Sequence, residues 1–120
     1  MRYLFVALIL ATSACAAPEA KAHAFLDHAI PSVGSSASTA PKEVSAWFTQ
    51  ELEPAFSAIE VTDAGGGRVD KADSHVDPAD ATLLHVSLKP LGPGTYRVHW
   101  HVLSVDTHRT EGNFTFTVAP

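Results

Sequence analysis

Three residues in this sequence carry the groups that a metal centre needs. His23 follows Ala20-Lys21-Ala22, an A-x-A pattern after which a secretory peptidase cuts. Cleavage there would make His23 the first residue of the mature chain. A free N-terminal histidine is a bidentate ligand, because its α-amine and its imidazole Nδ1 can close one ring on one ion. Both groups release their protons to a strongly binding cation near neutral pH. Asp106-Thr107-His108 offers a carboxylate and a second imidazole. If the backbone is extended there, Asp106 and His108 point to the same side. Amine, imidazole and carboxylate donors in a tetragonal set suit Cu(II), which also tops the divalent affinity series. On these residues alone another reading stands beside this one, in which D-x-H is a polar turn and His23 a loose terminus.

The remaining histidines, of seven in all, are less suggestive. His99 and His101 share the outward face of one strand at i, i+2, about 6–7 Å apart. They read as a chance chelate or as solvated surface residues. His75 stands among Asp70, Asp73, Asp77 and Asp80, in what reads as a polar loop. His28 and His85 have no evident partner. There is no G-x-S-x-G elbow, and Cys15 lies in the leader, so hydrolase chemistry has no nucleophile here.

The leader is residues 1–22. Arg2 gives a small positive start, and Tyr3 to Ala11 is apolar throughout. That run is about half the roughly 20 residues of a membrane span, which predicts a cleaved signal peptide and secretion. A competing reading takes Thr12-Ser13-Ala14-Cys15 as a lipoprotein box. Lipidation at Cys15 would leave His23 internal, without a free amine. Loss of Arg2, Lys21 and Glu19 with the leader leaves six basic and twelve acidic residues in 23–120, net −6 with histidine neutral. Such an acidic chain, with no basic cluster, is not built to bind nucleic acid. It also has no cysteine, so its core alone must hold it together.

The elements that must position these groups read as strands. Val44–Phe48, Ser57–Val61, Leu83–Leu88, Thr95–Val102 and Asn113–Val118 are short runs between Gly- and Pro-rich turns, with no convincing helix. In the fourth run Tyr96, Val98, Trp100 and Val102 share one face, and Phe114, Phe116 and Val118 do so in the fifth. The expected fold class is all-β: an immunoglobulin-like antiparallel β-sandwich or Greek-key barrel, with Tyr96 placed as a tyrosine corner.

Residues 23–120 resemble the CopC family of periplasmic copper-resistance proteins. The resemblance rests on His23-Ala24, on Pro31 and Gly34, on the Phe48 strand, and above all on Pro93-Gly94-Thr95-Tyr96-Arg97-Val98-His99-Trp100. It continues through Ser104-Val105-Asp106-Thr107-His108 to Gly112-Asn113-Phe114-Thr115-Phe116-Thr117-Val118. It implies a β-barrel that presents His23, Asp106 and His108 to one Cu(II), as a carrier or buffer and not an enzyme. It also implies an inner-membrane copper transporter of the CopD type as partner. A monomer is expected. Some family members carry a Met-rich loop for Cu(I), but the only methionine here is Met1, and Asp63–Ala81 has none. Others place a glutamate after the Phe48 strand, where Gln50 and Glu51 stand here. Two other functions are compatible with these residues: a metal-free immunoglobulin-like interaction module, and a copper monooxygenase built on a terminal-histidine chelate.

Overall fold

The computed structural model describes residues 23–120, so the proposed leader and Cys15 lie outside the described residues. Eight strands form two four-stranded sheets. They are β1 (Leu26–Ile30), β2 (Ser36–Ala37), β3 (Glu43–Phe48), β4 (Ala58–Thr62), β5 (His75–Asp77), β6 (Asp80–Ser87), β7 (Gly94–Leu103) and β8 (Arg109–Val118). One sheet runs β1-β3-β6-β5 and the other β2-β8-β7-β4. All pairs are antiparallel but one: β2 runs parallel to β8, pairing Ser36 with Thr117 and Ala37 with Val118. The expected all-β, immunoglobulin-like sandwich is the fold, with that parallel edge pair added. Its only helix among the described residues is a 3₁₀ turn at Pro54–Phe56, and no described helix is long and apolar enough to cross a membrane.

The core follows the alternation in the sequence. Tyr96, Val98, Trp100 and Val102 from β7 are buried with Phe114, Phe116 and Val118 from β8. Across the sandwich Phe48 meets Trp100 edge-on at 5.1 Å, and within one sheet Tyr96 of β7 stacks on Phe116 of β8 at 5.5 Å. Fully burying side chains of this kind stabilises by roughly 1.5–3 kcal/mol each. The Tyr96 hydroxyl donates to the carbonyl of Gly92 at 2.6 Å, which is the tyrosine corner the sequence suggested. Gly112 pairs with Trp100 across β7 and β8. A Cβ on it would stand 2.5 Å from Trp100 Cζ2, so only glycine lets the indole lie flat over β8.

The stretch from Asp63 to Ala81 is more ordered than a polar loop. It opens with the expected turn, where the Asp63 carboxylate accepts from the amides of Gly65 and Gly67 and Gly66 takes a positive φ of 85°. His75 then sits on a strand, β5, because that short edge pairs with β6. The nearby acids are all committed. Asp70 is buried and accepts from Arg68 and from the amides of Val61 and Ala72. Asp73 accepts from the Ser87 amide, Asp77 faces His85, and Asp80 accepts from Thr82. His75 Nδ1 donates to the Asp73 carbonyl.

His28 and His85 do have partners, contrary to the sequence reading. His28 Nδ1 lies 2.7 Å from Asp27 and its ring stacks on Trp47 at 4.5 Å. His85 spans Asp77 at 2.8 Å and Ser45 at 2.9 Å. The Asp27 contact is to the preceding residue, whereas the contacts with Trp47, Asp77 and Ser45 cross strands, so local sequence held no sign of those three.

Candidate metal centre

His23 immediately precedes β1, and two threonines fix the chain around it. Thr49 Oγ1 donates to the His23 carbonyl at 3.3 Å and accepts from the Phe25 amide at 3.0 Å. Thr110 Oγ1 donates to the Ala24 carbonyl at 2.5 Å. The Ala24 methyl is fully buried in the core. The first residues are therefore stapled from both sheets, through Thr49 after β3 and Thr110 in β8. Neither threonine could have been singled out in the sequence, since each acts across a long stretch of chain.

Asp106 and His108 lie in the turn joining β7 to β8. The turn is anchored by Ser104, which is fully buried. Its hydroxyl donates to the Asp106 carboxylate and accepts from the His108 amide, the latter at 3.3 Å. The Ser104 amide donates to the His108 carbonyl at 3.0 Å, and the Thr107 amide to the Ser104 carbonyl at 2.9 Å. On the outer side the Val105 amide donates to Glu51, and Leu52 bridges Ser104. The backbone is not extended, as the sequence reading supposed. Thr107 takes φ 73°, the left-handed region that a β-branched residue rarely occupies, and the chain reverses there. Asp106 and His108 still come together, but through a turn: His108 Nδ1 lies 3.3 Å from Asp106 Oδ1. The Asp106 carboxyl is held below the ordinary carboxylate range. The Ser104 hydroxyl is the main cause and His108 adds to it, against a smaller opposing effect of burial.

The His23 and His108 rings approach to 4.5 Å between centroids, tilted at 43°. His108 thus stands against both His23 and Asp106, where the entry to the first sheet faces the last hairpin of the second. Among the described residues, no three His, Cys, Asp or Glu side chains are placed so that together they could hold a metal ion without moving. In the unprocessed chain the His23 nitrogen is also an amide bonded to Ala22. The donor types are nonetheless those that suit Cu(II): two imidazoles and an anionic oxygen, with the amine that cleavage before His23 would free. Gln50 is exposed in the bend after β3. Exposed Phe25 and Val105 flank the cluster, with the Phe25 ring 5.9 Å from that of His23.

The fold and this cluster define a class: a small immunoglobulin-like β-sandwich with a histidine–carboxylate group at one end. The model of the CopC domain family matches residues 26–119, and the chain belongs to that family. It is 35% identical to protein YobA of Escherichia coli K12, over 98% of this chain and 95% of that one. Among solved structures it is similar to CopC from Methylosinus trichosporium OB3b, with TM-score 0.73 and 35% identity over 82% of this chain and 95% of that chain. It is similar also to PcoC, a methionine-rich copper resistance protein from Escherichia coli, with TM-score 0.70 and 34% identity over 81% and 99%. The family ties the chain to copper.

Proposed function

We propose that the chain is processed before His23 and serves in the periplasm as a Cu(II)-binding protein that buffers copper or hands it on. One ion would be held by the His23 amine and Nδ1, by His108 and by Asp106. His108 would bind through Nε2, because its Nδ1 already faces Asp106 Oδ1. Asp106 would bind through its second oxygen. The observation that carries this reading is the approach of His23 to His108 at 4.5 Å beside an ionised Asp106.

The protein works as a carrier and not an enzyme. A carboxylate beside the two imidazoles fills a position that oxygen chemistry would need open, and copper is the cargo. Its partner is a copper transporter of the inner membrane, of the CopD type, and the carrier is a monomer. The lack of methionine beyond Met1 fits a protein without a Cu(I) loop.

The test compares protein beginning at His23 with protein carrying one extra residue before it, by Cu(II) titration and electron paramagnetic resonance. Extension turns the amine into an amide and prevents the chelate ring. Affinity should fall and the spectrum change. Equal affinity and identical spectra would overturn the site.

A further inference from the structure

A second set of donors lies on the outer face of the β2-β8-β7-β4 sheet, away from the terminal cluster. His99 and His101 point outward from β7, and their rings lie 6.1 Å apart. Across the ladder His99 pairs with Asn113 and His101 with Glu111. His99 Nε2 stands 3.9 Å from the Glu111 carboxylate. On the other side His99 pairs with Glu60 of β4, whose carboxylate faces Arg68.

We propose that His99, His101 and Glu111 form a second, weaker Cu(II) site. Three features support it. Firstly, His99 Nδ1 donates to Asn113 Oδ1 at 3.0 Å. That bond fixes the tautomer and the ring, leaving the Nε2 lone pair outward, as metal-bound histidines are held by an outer partner. Secondly, a nitrogen and an oxygen 3.9 Å apart can share an ion whose bonds are each about 2 Å. Thirdly, His101 stands directly opposite Glu111 on the same face. Both are exposed, so each side chain can turn onto the ion without disturbing the core. Two imidazoles and one carboxylate favour Cu(II) over the other first-row divalent ions. The site is weaker than the terminal one because three side chains must be ordered and no amine chelate ring helps them.

The site borders a groove that includes one of the residues anchoring the N-terminal segment. His101 and Glu111 line a groove of about 660 Å³ with Phe56, Arg109 and Thr110. Thr110 holds Ala24, and Arg109 follows His108 in the chain.

The test uses Cu(II) alone, with protein beginning at His23, followed by calorimetric titration and electron paramagnetic resonance. The wild type should bind a second equivalent at least roughly tenfold more weakly than the first. His99→Ala with His101→Ala should remove that equivalent and leave the first intact. His108→Ala should weaken the first and leave the second. Glu111→Gln and Asn113→Ala should each weaken the second about tenfold or more, the latter by freeing the His99 ring. All these positions are solvent-accessible, and circular dichroism would confirm an unchanged fold. A second equivalent that survives in the double histidine variant, or a wild type that binds no second equivalent, would overturn the proposal. Because the double histidine variant reads the first site alone and the His108→Ala variant reads the second against a weakened first, failure of either site is seen separately.

Discussion

His23 and His108 stand near opposite ends of the described chain, yet their imidazole rings lie 4.5 Å apart. Two different sheets deliver them, one through the entry to β1 and the other through the turn before β8. Copper binding in this protein should therefore depend on the intact sandwich as well as on the ligands.

Ligand removal should rank the three donors. His108→Ala should lower Cu(II) affinity by about 100-fold or more. Asp106→Ala should cost roughly 10–100-fold and alter the spectrum, because it removes an oxygen ligand and frees the His108 ring. Competition titration with a Cu(II) chelator measures both. Equal affinity of Asp106→Ala and wild type would remove Asp106 from the site.

The stapling threonines give a prediction that no ligand list would contain. Thr110→Val keeps the side-chain shape and deletes the hydrogen bond to the Ala24 carbonyl. Cu(II) affinity should fall about tenfold, in the range found for outer-partner losses, with thermal stability nearly unchanged. Thr49→Val should act in the same direction through the His23 carbonyl and the Phe25 amide. An affinity unchanged in both variants would show that the terminus needs no anchoring.

Gly112→Ala should destabilise the fold by roughly 1–3 kcal/mol, the range for overpacking, because the new methyl overlaps the Trp100 ring. Trp100→Ala should cost about 3–5 kcal/mol. Urea denaturation followed by circular dichroism measures both. A wild-type midpoint for Gly112→Ala would mean that the indole has another place to lie.

Asp70 sets an acid limit on stability. Burial would push its carboxyl up, but hydrogen bonds from Arg68 and the Val61 and Ala72 amides outweigh that and hold it below the ordinary value. A carboxyl depressed in the folded state binds fewer protons there than in the unfolded chain. Its contribution is thus fully present above the unfolded value of about 3.9, and is lost as pH falls through the folded one. Asp70→Asn should be less stable than wild type at pH 7, by roughly 1–3 kcal/mol for a buried group left without its full partner. The gap should narrow below about pH 4. Denaturation series at both pH values test this, and a gap that stays constant with pH would contradict it.

Cu(I) should bind poorly. Soft thioether ligands select Cu(I), and residues 23–120 contain none. Competition with a Cu(I)-specific chelator should leave the ion with the chelator at neutral pH. High-affinity retention of Cu(I) would contradict the prediction and point to the histidines.

The strand pattern was legible because side chains alternate with period 2. The faces of β7 and β8 could be read residue by residue, down to Trp100 in the core and His99 and His101 outside. The tyrosine corner was legible too, since Tyr96 and Gly92 are close in sequence. So was the identity of the site candidates, because amine, imidazole and carboxylate chemistry belongs to residue types. What stayed hidden was every relationship made across the sheets. The edge strands β1, β2 and β5 are too short or too irregular to show a period. The Ser45 partner of His85 and the threonine staples arise from pairing between distant segments, and the buried role of Asp70 from how its neighbouring strands fold back on it. The shape of the Asp106–His108 turn also escaped. A left-handed Thr107 is stabilised by Ser104 and by the Glu51 and Leu52 backbone, not by its own preference. The sequence by itself determined which residues are candidates to bind copper and which faces of the strands enter the core. Only the tertiary structure decided that His23 meets His108, because that contact depends on how two sheets close on a shared core.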